Sequence, residues 1–180
     1  MNRNAARPAA CTEKRRRAQK GFSLIELLIV VAIILIIAAI AIPNLMRSRM
    51  AANESSAVGA VRTINTAETS YAAAFPDTGY SVDLTSLGGT AAQCAPGTVA
   101  TTASGCYIDV LLSITKQKSG YKFDAAGAKL GGSTTNNVYT VTAEPLGIGS
   151  TGNRAFFSDQ SGVIRYALTG AGESAASSPL

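Results

Sequence analysis

The sequence predicts an α+β protein in which a long N-terminal α-helix packs on a small antiparallel β-sheet. A run of sixteen consecutive apolar residues, 27–42, lies near the N-terminus, and apolar residues continue at helical spacing beyond it. The C-terminal half instead contains short runs of β-branched and aromatic residues that turn-forming residues separate. At 180 residues, the chain has room for one modest domain beside the apolar segment.

The long helix is predicted over residues 22–75, and its two halves differ in character. Residues 22–43 are predominantly apolar and supply about the 20 residues that cross a hydrocarbon core, so they predict a transmembrane segment. Pro43 removes one backbone hydrogen bond within the helix, which predicts a kink. Residues 44–75 are amphipathic and predict a face that packs on the sheet. The predicted core positions of this face are Ala57, Val61, Ile64, Tyr71 and Phe75.

Residues 1–21 have the character of a leader peptide that is removed. They carry seven basic side chains and one acid, whereas residues 22–180 carry nine basic and ten acidic side chains. Because Lys and Arg that flank a membrane helix stay in the cytoplasm, the N-terminus is predicted to be cytoplasmic. Arg47 and Arg49 follow the apolar run, but the basic leader outweighs them. The C-terminal domain is therefore predicted to lie outside the inner membrane.

One charged residue, Glu26, interrupts the membrane-length segment near its start. An ionised carboxylate is costly inside a bilayer, and such a residue usually marks a functional site. The sequence therefore predicts that Glu26 acts with a partner group from outside its own helix.

The residues around Glu26 carry a family resemblance. The run KGFSLIELLIVVAII, followed by AAIAIP, resembles the class III signal and N-terminal helix of type IV pilins over about 25 residues. The resemblance implies the type IV pilin fold, cleavage by a prepilin peptidase between Gly21 and Phe22, and N-methylation of Phe22. Gly21 has no side chain to obstruct access to that bond. The family usually has Thr where this chain has Ser23, a change that keeps the hydroxyl.

The same resemblance implies a structural subunit of a type IV pilus rather than an enzyme. The precursor would span the inner membrane once, in contact with lipid, and the pilus assembly machinery there would polymerise it through its N-terminal helices. In the family, the resulting extracellular filaments serve adhesion, twitching motility and DNA uptake. Glu26 of one subunit would pair with the Phe22 amine of its neighbour, because neither charge is tolerated unpaired when apolar helices bundle.

A globular head is predicted over residues 76–169, with a flexible tail over 170–180. The head begins with a loop, 76–107, that contains Cys94 and Cys106, and an oxidising periplasm predicts a disulfide between them. Closing a loop of that size contributes about 3 kcal/mol on the chain-entropy estimate. The third cysteine lies in the leader, at Cys11.

The rest of the head is predicted to contain short helices and an antiparallel sheet of three or four strands. The helices are predicted near 83–87 and 108–114, and the strands at 121–125, 138–143, 154–158 and 163–166. The strand residues predicted to face the long helix are Phe123, Tyr139, Val141 and Phe157 or their neighbours.

No catalytic, cofactor or metal site is predicted. The chain has no histidine, no Ser or Cys with a neighbouring base, and no glycine-rich phosphate loop. The loop at Asp159 has one carboxylate, which falls short of a calcium site. Four lysines lie close together in the sequence, and we interpret them as a solvated face, with DNA binding as the weaker alternative. These are Lys116, Lys118, Lys122 and Lys129.

Two alternatives to a major pilus subunit remain open from the sequence. A minor pilin or a type II secretion pseudopilin has the same kind of N-terminus. A secreted binding protein is the other, because residues 39–41 imitate a small-x-small signal-peptidase site. Glu26 within the hydrophobic region argues against this second alternative.

Overall fold

The computed structural model describes residues 21–168, 174 and 176–180, and most of the predicted leader and part of the predicted tail lie outside them. The described residues fall into two units that divide between Ala41 and Ile42. Helix α1, Leu24–Ala74, confirms the long N-terminal helix. Pro43 lies within α1, and the kink there stays a prediction.

Two short helices follow α1, and each begins at an aspartate that caps it. Helix α2 is Leu84–Leu87, and the Asp83 carboxylate accepts a hydrogen bond of 2.7 Å from the Ser86 N–H. Helix α3 is Val110–Thr115, and Asp109 accepts one of 2.6 Å from the Leu112 N–H. Each carboxylate satisfies an N–H that the first turn of a helix otherwise leaves unpaired.

The sheet confirms the predicted antiparallel architecture and is larger than predicted. In the described residues it has six strands, each paired with its neighbours in the sequence. The strands are β1 Gln117–Lys118, β2 Tyr121–Ala128, β3 Val138–Pro145, β4 Ala155–Asp159, β5 Arg165–Ala167 and β6 Ser178–Pro179.

The C-terminal end of the chain differs from the predicted flexible tail. Within residues 170–180, Ser178–Pro179 form β6 and pair with β5. The Leu180 N–H donates to the Ile164 carbonyl at 2.9 Å, and the Arg165 guanidinium donates to the Ser177 carbonyl at 3.3 Å. These hydrogen bonds involve backbone groups of the final residues. The small polar side chains of this segment therefore did not predict a strand.

The core of the second unit lies between one face of α1 and one face of the sheet. Val61, Ile64 and Tyr71 are fully buried, and Phe75 packs against them while partly exposed. On the sheet side, Phe123, Tyr139 and Val141 belong to the same cluster, as predicted. Leu84, Leu87 and Leu112 of the short helices complete it.

For the predicted position at Phe157 or a neighbouring residue, the residue that faces the core is Phe156. Phe156 belongs to the core cluster, whereas Phe157 is buried but lies outside that cluster. Successive side chains of a strand point to opposite faces, so only one of two adjacent phenylalanines can face α1. Both are buried, and their apolar character alone did not indicate which one that is.

The predicted disulfide is present. Cys94 and Cys106 are bonded, and they close a loop with a sequence separation of 12. The loop also has backbone bonds to the short helix before it, since the N–H groups of Gly105 and Tyr107 donate to the carbonyls of Ser86 and Leu87. The disulfide therefore fixes a segment that has little regular structure of its own.

Candidate processing and assembly site

The predicted cleavage site lies just before α1 begins. Residues 21–23 are not helical, and the Phe22 side chain is 78% exposed. Among the described residues, nothing lies within 4 Å of the position where a Cβ on Gly21 would be. Among the described residues, nothing therefore blocks an enzyme from approaching the bond between Gly21 and Phe22.

Glu26 lies in the first turn of α1 and bonds to the backbone that precedes the helix. The Ser23 N–H donates to the Glu26 carboxylate at 3.0 Å, and the Leu27 N–H donates to the Ser23 carbonyl at 3.2 Å. This is one half of a capping box, with Ser23 as the N-cap. A negative charge in the first turn also complements the helix dipole. This role was not predicted from the sequence, although the spacing S-x-x-E indicates it.

The apolar half of α1 is exposed all along its length. Its large apolar side chains between Phe22 and Ile42 are each 44–80% exposed. In the described residues, α1 is the one helix that is long and apolar enough to cross a membrane, judged by length and composition. An exposed apolar surface of this extent requires lipid or other protein to cover it.

The second unit contains a buried carboxylate that was not predicted from the sequence. Glu68 is fully buried on α1, and it accepts hydrogen bonds from the N–H and the hydroxyl of Ser81. Burial raises the pKa of Glu68, while the bonds from Ser81 act in the opposite direction. Glu68 follows Ile64 by four residues and precedes Tyr71 by three, so helical spacing alone places it on the core face.

A second polar cluster holds the loop between β3 and β4 against α1. The Asn53 amide donates to the Thr151 carbonyl at 2.9 Å. The Glu54 carboxylate accepts hydrogen bonds from the N–H groups of Asn153 and Arg154, at 2.9 and 3.3 Å. These contacts join residues about a hundred positions apart and fix one end of the sheet to the turn of α1 at residues 53–54.

The predicted cluster of lysines is interleaved with acids. Lys116 forms an ion pair of 3.0 Å with Asp124, and Lys118 forms one of 2.9 Å with Asp109. Lys122 lies directly opposite Glu144 in the pairing of β2 with β3. These acids offset much of the positive charge that a nucleic-acid surface needs. Among the described residues, no group of three or more His, Cys, Asp or Glu could hold a metal ion.

Comparison with known proteins gives one family match and one curated relative. The model of the prokaryotic N-terminal methylation motif matches residues 16–42. The type IV wide pilus major component PilA4 of Thermus thermophilus is 62% identical over 39 residues, which are 22% of this chain and 30% of that protein. No solved structure matches the chain significantly.

The match to the pilus component therefore spans less than a third of that protein's length and less than a quarter of this chain. The matched segment includes the end of the predicted leader, the predicted cleavage site between Gly21 and Phe22, Glu26 and the apolar run, and the geometry described above belongs to its residues from Gly21 onward. The long apolar helix followed by an antiparallel sheet is consistent with the α+β fold of type IV pilins. Over these N-terminal residues, the chain carries the prokaryotic N-terminal methylation motif and is similar to a type IV pilus component.

Proposed function

We propose that this chain is the precursor of the structural subunit of a type IV pilus. A prepilin peptidase cuts it between Gly21 and Phe22 and methylates the new amino group of Phe22. The observation that carries the proposal is the coincidence of the methylation motif, residues 16–42, with an exposed apolar helix that has one carboxylate in its first turn.

Before assembly, the apolar half of α1 anchors the subunit in the inner membrane. The basic leader holds the N-terminus in the cytoplasm, and the head lies on the other side. Lipid covers the exposed apolar side chains in this state. The length of the apolar segment supports this arrangement, since it provides about the 20 residues that a span requires.

Polymerisation then replaces lipid with copies of the same helix. Head-to-tail contacts that do not close into a ring produce an open helical filament. The exposed Ile, Leu and Val side chains of residues 22–42 form the filament core. The pilus assembly machinery of the inner membrane extracts and adds the subunits.

Charge pairing sets the axial position of each added subunit. Cleavage gives Phe22 an ammonium group, and bundling buries it together with the Glu26 carboxylate. An unpaired charge in that environment costs several kcal/mol, whereas the Glu26 carboxylate of one subunit and the Phe22 amine of its neighbour neutralise each other. In the precursor, the bond from Ser23 to Glu26 keeps this carboxylate at the end of the helix that meets the neighbour.

The filament acts in adhesion and twitching motility. It also contributes to DNA uptake, but through other parts of the pilus machinery and not through DNA binding by the lysines of the head. The ion pairs of Lys116 and Lys118 support that last distinction. We propose the role of a major subunit for this chain, which is the role that the name of the comparison protein gives. The proposal includes no catalytic activity for the chain itself.

The N-terminus of the mature protein tests the proposal. Surface filaments would be sheared from the native cells, and the mass and first residues of their main protein measured. We expect a chain that starts at N-methylated Phe22. A chain that starts at Ile42 would have lost the apolar helix and would contradict both the anchoring and the assembly steps. Replacement of Gly21 by Val is the matched variant, and it should leave the uncut precursor in the membrane.

A further inference from the structure

Residues 79–83 lie between α1 and α2 and contact the loop end of the β2–β3 hairpin; we call this segment the strap. The Tyr80 N–H donates to the Asn136 carbonyl at 2.9 Å, and the Asn136 side-chain amide donates back to the Tyr80 carbonyl at 2.9 Å. The Gly127 N–H donates to the Val82 carbonyl at 3.3 Å. The backbone of the strap is thus bonded to the hairpin along its length.

The other side of the strap covers Glu68 on α1. Ser81 lies in the middle of the strap and bonds to both carboxyl oxygens of Glu68, and both residues are fully buried. None of the ion pairs that the described residues form includes Glu68. Because Ser81 occupies both oxygens, a displacement of the strap would open the carboxyl group to water.

The ionisable groups around Glu68 are tyrosines and acids. Burial, and after it the nearby charge of Glu68, raises the pKa of Tyr71 on α1 and that of Tyr139 on β3. The acids disfavour a further negative charge at Glu68. Burial also raises the pKa of Glu68 itself, so its surroundings favour the neutral carboxyl group. The other ionisable groups that act on these two tyrosines are Tyr80, Asp83, Tyr107 and Asp159.

The hydrogen bonds of Ser81 also fit a neutral Glu68. The Ser81 hydroxyl lies within bonding distance of a Glu68 carboxyl oxygen and, at 3.2 Å, of the Asp83 carbonyl, and its one hydrogen serves one of them. If Glu68 is ionised, this hydrogen goes to the carboxylate and the Asp83 carbonyl loses it. If Glu68 is neutral, its own hydrogen goes to the Ser81 oxygen, and the Ser81 hydrogen goes to Asp83. The neutral form therefore satisfies every group of this cluster.

The strap is in turn joined to α2 and to the disulfide loop. The Asp83 carboxylate accepts hydrogen bonds from the N–H and the hydroxyl of Ser86, at 2.7 and 2.8 Å. The Ser86 carbonyl accepts one of 2.8 Å from the Gly105 N–H, next to Cys106. The position of the strap therefore affects the elements that follow it in the chain.

We propose that Glu68 and Ser81 form a pH-sensitive latch. While Glu68 is neutral, the latch holds the strap closed against α1 and the hairpin. When Glu68 loses its proton, the charge is buried without a basic partner, and the strap opens so that water solvates the carboxylate. The latch lies within the second unit, so it does not depend on membrane anchoring or on assembly.

The direction of the pH effect follows from the two states of the strap. With the strap closed, burial holds the pKa of Glu68 above the ordinary value of 4.5, and with the strap open the pKa returns towards that value. Between these two pKa values the open state binds fewer protons, so opening becomes about tenfold more favourable for each pH unit. Above the higher pKa both states are ionised, and the opening equilibrium no longer changes.

Amide hydrogen exchange of the full chain in detergent micelles tests the latch, read at single residues by mass spectrometry between about pH 5 and 8. Glu68→Gln is the matched variant, because its amide group donates to Ser81 as the neutral acid does and does not ionise. At each pH, the rates of the Tyr80 and Ser81 amides are divided by the rates of the same amides in the variant. We expect this ratio to rise with pH by up to tenfold for each unit. A ratio that stays constant would overturn the proposal.

Two comparisons show whether the opening is local and belongs to Glu68. Val141 is buried in β3, and its amide should stay better protected than those of Tyr80 and Ser81 as pH rises. Equal protection of all three amides at every pH would mean that only global unfolding occurs, and the latch would be wrong. Glu54→Gln removes another acid of α1, which bonds to the backbone of Asn153, and should keep the pH dependence of the strap. Loss of that dependence in Glu54→Gln would assign the titration to another group.

Gly127→Ala tests the closed position of the strap. A Cβ at residue 127 would collide with the Ser81 carbonyl oxygen, so alanine should force the strap away from the hairpin. We expect the amides of Tyr80 and Ser81 to exchange rapidly in this variant even near pH 5, while Val141 stays protected. Full protection of Tyr80 and Ser81 in Gly127→Ala at that pH would contradict closure of the strap against the hairpin.

Discussion

Glu68 and Ser81 form a buried pair that joins α1 to the segment after it. The Ser81 N–H donates to one carboxylate oxygen at 2.9 Å, and the Ser81 hydroxyl donates to the other. Both residues are fully buried. Ser81 lies in the short segment between α1 and α2, so this pair fixes where the chain turns back from the helix to cover it.

We expect this pair to make stability depend on pH in a defined direction. Burial raises the pKa of Glu68 above the ordinary value of 4.5, so the folded state holds its proton to higher pH than the unfolded state does. The free energy of unfolding therefore falls as pH rises from about 4.5 through the folded pKa, because the native state binds more protons there. Below that window both states are protonated, and the stabilising effect of the protonated carboxyl is complete.

Glu68→Gln tests this expectation, because glutamine keeps an oxygen for the Ser81 N–H but does not ionise. Urea unfolding, followed by tyrosine fluorescence at several pH values above about 4, should show a shallower decline of stability for the variant than for the unaltered chain. The chain contains six Tyr and no Trp, so the tyrosines provide the signal. Equal slopes for the two proteins would contradict a raised pKa at Glu68.

We expect the disulfide between Cys94 and Cys106 to be the main contact that keeps its loop ordered. Replacing both Cys94 and Cys106 by Ser should lower the free energy of unfolding by about 3 kcal/mol, because the unfolded chain regains the freedom that the closed loop removes. Thermal unfolding of the second unit measures the loss. Cys11→Ser is the control and should change nothing, since Cys11 lies in the predicted leader. Unchanged stability in the double variant would show that backbone bonds such as those of Gly105 and Tyr107 hold the loop without the cross-link.

The features that periodicity and chemistry mark strongly were predictable from the sequence. Val61, Ile64 and Tyr71 recur at helical spacing, and the structure buries all three. Cys94 and Cys106 are the two cysteines outside the predicted leader, and they are bonded to each other. Such signals are local, because a helical face or a cysteine pair appears directly in the order of residues.

The features that depend on distant backbone were not predictable in the same way. Strands β1 and β6 have two residues each, and pairing with a neighbouring strand defines them rather than any pattern of their own. Burial of Glu68 requires Ser81 to arrive from another segment, and a charged residue on a core face otherwise suggests an exposed position. Which of Phe156 and Phe157 faces α1 depends on the register of β4 against β3.

Two isoleucines of α1 should separate stability from assembly. Ile64 is fully buried, and Ile64→Ala should lower the free energy of unfolding of the second unit by about 3 kcal/mol through lost contacts and the cavity it leaves. Ile34 is 57% exposed, and Ile34→Ala should leave that stability unchanged. The yield of sheared filaments should fall for Ile34→Ala, because its side chain belongs to the proposed filament core. A large loss of stability from Ile34→Ala would contradict the separation of the two roles.

Glu26 provides the sharpest test of assembly, because charge pairing and helix capping make different demands on its side chain. Glu26→Gln keeps an oxygen that can accept the hydrogen bond from the Ser23 N–H and removes only the charge. We expect the variant to be cut and methylated normally but to form few filaments, since the Phe22 amine of its neighbour then has no counter-charge in an apolar core. Glu26→Ala, which also removes the cap, should show the same loss of filaments. Filament yield by electron microscopy and the mass of the processed chain measure the two steps separately. Abundant filaments from Glu26→Gln together with few from Glu26→Ala would show that the carboxylate is needed as a cap for α1, and that a neighbouring subunit does not depend on its charge.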